Sequence, residues 1–206
     1  EDIPLPDPHP ERGYVRHPWI EAAAQSAIYD QFFTDETRKI AIASYYGLTS
    51  FLDDNIGKVL KALDDCGLSD DTRVVYTSDH GDNLGTRGLW GKSNMYQPSA
   101  NIPMIMSGPD VPQGEVCNTP VTHVDCYQTI LDCVGLPLDD TDKSLPGTSM
   151  YEIAANGDDN TRVGFSEYHA SSAKTGSFML RRDNYKYIYY VEMEPELFDL
   201  DNDPME

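Results

Sequence analysis

Basic residues are scarce in this chain. Fifteen Lys and Arg stand against 35 Asp and Glu, for a formal net charge of −20 over 206 residues. Such a surface repels polyanions, so nucleic acid is not an expected partner. Much of the acid is Asp in turn-like stretches such as "LDDTD", "NGDDN" and "DLDNDP", the pattern of a solvated face. Long apolar runs are missing too. No stretch reaches 18 apolar residues, so no spanning helix and no membrane partner are expected. No signal peptide opens the chain, which starts at Glu1 without a methionine and reads as a cut end. Cysteine is sparse: Cys66, Cys117, Cys126 and Cys133 include no C-x-x-C pair, which argues against a zinc site. Cys126 and Cys133 fall on one predicted helix, two turns and about 10 Å apart, too far for a disulfide. Buried free thiols are expected. P-loop, G-x-S-x-G and H-E-x-x-H motifs are absent. "DLDNDPME" begins with EF-hand-like Asp spacing, but Pro204 falls where that loop needs glycine.

What is present suffices for a core, since 39% of the residues are hydrophobic. Residues 1–33 are rich in Pro and aromatics ("IPLPDPHPERGYVRHPWI") and read as an extended, irregular arm. A helix is predicted over 34–66, with Thr34 as N-cap and Asp35 and Glu36 at its positive end. Tyr45, Leu48, Leu52, Ile56, Val59, Leu60 and Leu63 form its apolar stripe, and Gly67 stops it. A strand follows over 73–78, then a second over 104–107 with Pro103 at its start. "THVDCYQTILDCVGL" reads as another helix, with Val124, Tyr127, Ile130, Leu131 and Val134 along one face.

After about residue 138 the pattern changes. "RVGFSEYHA", "SFMLRRDNYKYIYYVE" and "PELFDL" read as consecutive strands. Helix and strand first, then strands alone, predict an α/β domain with a mostly parallel sheet followed by a small antiparallel α+β subdomain. The division is placed at 1–140, including the arm, and 141–206.

One stretch carries candidate chemistry: "VVYTSDHGDNLGTRGLWGKSNMY", residues 74–96. In open α/β sheets ligands bind beyond the carboxyl ends of strands, and Asp79 and His80 stand at such an end. Gly81 lets the chain turn so that both side chains reach one ion, a carboxylate and an imidazole suited to a divalent cation. The same tripeptide also fits an Asx turn or a helix cap. Lys92 lies in the uncharged run "GLWGKSNMYQPSANIP", where an ammonium could grip an anionic oxygen. A surface lysine is the plainer alternative. An ion and a lysine together make a site for a sulfate or phosphate group. The Tyr run 185–190 suits sheet packing, or a surface for stacking sugars.

The stretch "YTSDHGDNLGTRGLWGKSNMYQPSANIPMIMSGP" closely resembles the second signature region of the sulfatases, in the alkaline-phosphatase-like superfamily. "ASYYGLTSFLDDNIGKVLKAL", "VTHVDCYQTILDCVGLPL" and "PELFDLDNDPME" match further family segments in the same order. The resemblance covers the chain from about residue 38 to its end. It implies the C-terminal part of an α/β/α sulfatase domain followed by the small antiparallel subdomain. It implies Asp79 and His80 as metal ligands, of calcium first and of manganese or magnesium in some relatives. It implies Lys92 as the sulfate-binding catalytic lysine. The Asp-His form is similar to iduronate-sulfatase-like, choline-sulfatase-like and phosphonate-monoester-hydrolase-like members. His169 in "SEYHA" is a substrate-binding candidate, or a satisfied histidine of the small subdomain.

The family nucleophile is a formylglycine from C-x-P-S-R, or the serine of S-x-P-x-R. Neither motif occurs here: the cysteines stand in "CGLSD", "CNTPV", "CYQTI" and "CVGLP". The resemblance therefore implies an N-terminal segment of the same protein that carries the formylglycine and the remaining ligands. The implied substrate is a sulfate-ester small molecule or a sulfated sugar, in a periplasmic, secreted, lysosomal or cytoplasmic setting. The alternatives are a phosphonate monoester or phosphodiester hydrolase, and a non-catalytic fragment derived from a sulfatase.

Overall fold

Pro18 opens helix α1 (Pro18–Ser26), where its missing N–H costs nothing and its fixed φ suits the first turn. Three alanines at 22–24, the strongest helix formers, sustain it. Trp19 and Ile20 are buried on this helix. The arm expected to be irregular over 1–33 is thus partly helical, because propensity and two buried apolar side chains outweigh the lack of a long apolar period. The computed structural model describes residues 3–6, 15–26, 33–171 and 173–206, so the rest of that expected arm lies outside the described residues. The chain divides into two compact units: Glu1–Pro109 with Ala170–Lys174, and Asp110–His169 with Thr175–Glu206.

In the first unit, α2 spans Asp35–Asp65. Thr34 caps it as expected: its hydroxyl accepts from the Thr37 amide, and the Thr37 hydroxyl accepts from the Thr34 amide at 2.7 Å. This reciprocal pair satisfies orphan donors of the first turn. Gly67, at φ 67, ends the helix. Its apolar stripe is largely uncovered by the described residues. Ile42 is its one buried side chain, while Leu48 and Val59 are 67% and 69% exposed.

Strand β1 (Val74–Thr77) follows, then the single turn α3 (Gln97–Ala100) and β2 (Met104–Ser107). β1 and β2 pair antiparallel, Val74 opposite Ser107 and Thr77 opposite Met104. The expected parallel arrangement is corrected for these strands. A parallel neighbour needs a long crossover back to the starting end of the sheet. Residues 78–103 instead fold into a loop that returns the chain where β1 ends.

The second unit holds α4 (Val124–Cys133), α5 (Met150–Ala155) and an antiparallel meander of β3 (Gly164–Tyr168), β4 (Ser177–Arg182), β5 (Tyr185–Tyr190) and β6 (Glu196–Asp199), in that spatial order. The meander is the antiparallel sheet the sequence predicts for these strands. The short α5 has no counterpart among the expected elements; Ser149 caps it, its hydroxyl accepting from the Tyr151 amide. The Tyr run alternates as a strand must. Lys186, Ile188 and Tyr190 are buried, and Tyr185 and Tyr189 face outwards.

α4 turns its polar residues inward. Asp125 and Thr129 are fully buried, whereas Val124, Ile130 and Val134 are exposed. Asp125 accepts from the amides of Thr122 and Thr148 at 2.8 and 2.9 Å and from Arg162 at 2.6 Å. Arg162 also donates to the Pro120 carbonyl. Thr129 accepts from the Met150 amide at 2.9 Å, which ties α5 to α4. All four cysteines are free, but Cys66 and Cys117 are exposed. The expectation of buried thiols is corrected: those two sit at a helix end and in a loop, and Cys126 and Cys133 are only half-buried.

A second buried ion pair closes the meander. Lys186 on β5 meets Glu206 at 2.6 Å, with both side chains shut off from solvent. Burial pushes the Lys186 ammonium below its usual pKa, and Glu206 opposes that shift. Removing one member leaves a buried charge without compensation. Glu206→Ala is therefore expected to cost about 3 kcal/mol or more in urea unfolding. Lys186→Met combined with Glu206→Leu is expected to recover most of that loss. A Glu206→Ala midpoint equal to wild type would remove the pair from the stability account.

Candidate active site

Hydrogen bonding in β1 stops at Thr77, and the next residues place the candidate ligands. Ser78 Oγ donates to the His80 carbonyl at 2.9 Å, and Asp79 Oδ1 accepts from the His80 amide at 3.0 Å. His80 Nδ1 lies 2.9 Å from the Gly81 carbonyl. A carbonyl only accepts, so Nδ1 is the donor in that contact. Nε2 points to Asp79 Oδ2, 3.2 Å away, and is also in contact with Lys92 Nζ. The structure thus brings Asp79, His80 and Lys92 together. Asp79 is held below the ordinary carboxylate pKa: desolvation opposes ionisation, but the neighbouring His80, its amide and Lys92 outweigh it.

Gly81 makes the turn possible. A Cβ there would stand 2.1 Å from the Pro98 carbonyl oxygen, and the Gly81 amide donates to Ser99 O at 2.8 Å. Gly81→Ala is expected to cost about 3 kcal/mol, the upper range of overpacking, because backbone rather than a flexible side chain is in the way. Thermal unfolding reads this, and an unchanged midpoint would contradict the packing described.

The loop from Asp82 to Gly91 carries the chain to Lys92. Asn83 donates to the Gly91 carbonyl through its amide and its side chain, at 2.7 and 2.8 Å. Asp82 Oδ1 accepts from the amides of Leu84 and Gly91, at 2.9 and 3.1 Å. Arg87 is only 3% exposed, has φ 56, and lays its guanidinium over the Tyr96 ring at 4.7 Å. Sequence reasoning missed the parts played by Asp82, Asn83 and Arg87. The one available signal was three polar residues in a short Gly-rich loop.

His169 belongs to the other unit. It follows β3, lies 3.3 Å from Glu167 Oε2, and sets its ring edge-on to Phe178 at 4.9 Å.

A divalent cation can be tested against these donors. Asp79 and His80 offer a carboxylate oxygen and an imidazole nitrogen side by side. The Nδ1 bond to Gly81 is the kind of outer contact that orients a ligating histidine. The Lys92 ammonium already seats positive charge beside Nε2. The pair fits part of a site. Among the described residues no group of three or more His, Cys, Asp or Glu could hold an ion, so these two do not complete one.

A family profile described as Sulfatase matches residues 14–136. A second, described as N-sulphoglucosamine sulphohydrolase, C-terminal, matches residues 85–206. The chain belongs to the sulfatase family. It is 32% identical to a choline-sulfatase of Rhizobium meliloti (strain 1021) over 207 residues, covering 99% of this chain and 38% of that protein. It is 34% identical to arylsulfatase K of Danio rerio over 182 residues, covering 84% of this chain and 34% of that protein. The sulfatase-family chain thus spans about a third of the length of these relatives. Its structure is similar to the phosphonate monoester hydrolase SpPMH from Silicibacter pomeroyi, with a TM-score of 0.82 at 28% identity, over 97% of this chain and 44% of that one. That likeness confirms the α/β fold class of a C-terminal sulfatase portion. BT4656, solved in complex with its substrate D-glucosamine-2-N,6-O-disulfate, matches with a TM-score of 0.67 at 28% identity, over 74% of this chain and 32% of that one. Catalysis in this family is in general metal-dependent.

Proposed function

We propose that the intact protein hydrolyses sulfate esters. Asp79 and His80 are two ligands of a divalent cation, calcium first, and Lys92 grips the sulfate. The observation that most directly supports this reading is the meeting of those three side chains at the carboxyl end of β1, in a chain of this family. When bound, the cation supplies Lewis-acid polarisation of the ester oxygens. Lys92 donates hydrogen bonds to a sulfate oxygen and neutralises charge that builds there. His80, oriented by its Nδ1 contact with Gly81 O, turns Nε2 toward Asp79 and Lys92. Asp79 stays ionised and holds its neighbours in place.

The nucleophile is proposed to be a formylglycine on an N-terminal segment of the same protein. That segment would also cover the exposed stripe of α2, since about 60% of the choline-sulfatase relative's length has no counterpart here. His169 is proposed to touch the alcohol part of the substrate. BT4656, with its sulfated glucosamine, supports a sulfated sugar or a comparable small ester. Residues 1–140 are assigned to the catalytic domain and 141–206 to its small subdomain.

A second reading, phosphonate monoester or phosphodiester hydrolysis, is favoured by the likeness to SpPMH over nearly the whole chain. Parallel rates on an aryl sulfate and an aryl phosphonate monoester separate the two. Faster sulfate turnover supports the first reading, and faster phosphonate turnover transfers the site to the second. Turnover of neither ester would leave a binding fragment and overturn both.

A further inference from the structure

Arg16 bridges two elements of the first unit. Its Nη1 donates to Glu21 Oε2 on α1, and its Nη2 donates to the Arg87 carbonyl, both at 2.8 Å. Glu21 is itself fixed, since its other oxygen accepts from Gln25 at 2.9 Å. Trp19 and Ile20, wholly buried, anchor the helix beneath it.

Two further contacts reach the same part of the loop. Phe33 stacks on Trp90 with centroids 4.7 Å apart and planes at 15°. The Pro6 ring lies 3.3 Å from where a Cβ on Gly85 would stand. Residues on both sides of α1 thus grip the loop tip between Gly85 and Trp90. Lys92 leaves that loop one residue beyond the Asn83–Gly91 clasp.

The tip needs such a grip. Leu84 and Arg87 both hold positive φ, 47 and 56, a conformation that residues other than glycine keep only when their surroundings impose it. Lys92 has a flexible stem, so the position of its ammonium depends on the backbone that carries it. A functional group must be held to within about 0.5 Å of its working geometry.

We propose that Arg16 is a positioning residue for Lys92, and that α1 with its flanking residues is a strap across the Lys92 loop. This rests on the reading that Lys92 grips the substrate's anionic group. A planar guanidinium serves Glu21 and the Arg87 carbonyl at once, which the single ammonium of a lysine does not reproduce in the same geometry.

The test uses Arg16→Ala, Arg16→Lys, Lys92→Ala and the double variant Arg16→Ala/Lys92→Ala in the protein as it is encoded. Hydrogen exchange comes first. Arg16→Ala is expected to speed exchange of the Gly85, Leu89 and Gly91 amides by about tenfold, with α2 unchanged, and Arg16→Lys by less. The unchanged helix shows that the variant is folded. If Arg16→Ala does not fold, Arg16→Lys carries the same comparison. In steady state, Arg16→Ala is expected to lower kcat/KM for an aryl sulfate by about tenfold, but by less than about twofold when Lys92 is already alanine. Equal losses in both backgrounds would make Arg16 a general structural residue and overturn the proposal. Unchanged exchange at the loop would do the same. If the wild-type protein turns over neither sulfate nor phosphonate esters, the functional reading fails, and loop exchange alone decides whether Arg16 holds the loop.

Discussion

Lys92→Ala is expected to lower kcat/KM for a sulfate ester by about 10²–10³-fold, the range for removing one preorganised donor from a developing oxyanion. The size follows from geometry. Lys92 Nζ is in contact with His80 Nε2, whose imidazole also faces Asp79. On the proposed function, the ammonium sits where the cation and the ester oxygens would converge. It arrives there on a loop clasped at its base by Asp82 and Asn83, so little reorganisation is needed when the substrate binds. Lys92→Arg keeps the charge but replaces a compact point donor by a broad fork, and it should recover only part of the loss. Steady-state kinetics on an aryl sulfate read the effect. A Lys92→Ala loss below about threefold would move the sulfate contact to another residue.

Asp125→Ala is expected to destabilise the second unit by about 3–5 kcal/mol, as for breaking a buried ion pair from one side. Asp125 is fully buried. Its carboxylate satisfies the Thr122 and Thr148 amides and the Arg162 guanidinium. Alanine would orphan two backbone donors and leave a cation without its counterion. Asp125→Asn keeps one acceptor oxygen and should lose less. Denaturant unfolding reads both, and a midpoint shift worth under about 1 kcal/mol would show that water replaces the carboxylate freely. Asp125 lies in "VDCYQTIL", one of the segments that resembles the family, and its role in this structure is architectural.

The parts legible in the sequence were those written locally. Thr34, with two acidic residues after it, announced the start of α2, and Gly67 its end. Pro103 and the run Met104–Ser107 gave β2 its bounds. Runs of β-formers such as Tyr185–Tyr190 gave the strands of the meander, but not that Lys186 turns inward. The meeting of Asp79 and His80 at a strand end was legible as residue types, because they need only one turn to approach each other.

What stayed hidden depends on contacts far along the chain. Nothing near Val74 states that its strand partner runs antiparallel. That follows from how residues 78–103 fold back. The inward face of α4 was missed because Asp125 and Thr129 are polar, and their burial requires Arg162 and Thr148, more than twenty residues downstream. The helical α1 was masked by the prolines around it. The clasp of Asp82 and Asn83 on Gly91 is set by loop geometry that no periodic pattern records. The proposed division at 140/141 follows the last helix expected from the sequence, whereas the packing of this chain sets α4 with the strands that follow it.

Release of inorganic sulfate from an aryl sulfate tests the central claim most directly, with wild type and Asp79→Asn compared side by side in excess calcium. The account predicts sustained release by wild type and a loss of about 10²-fold or more in the variant, because the proposed metal ligand and neighbour of the Lys92 ammonium is altered. Equal rates from the two proteins would contradict it, since the side chains gathered at the end of β1 would then take no part in the reaction.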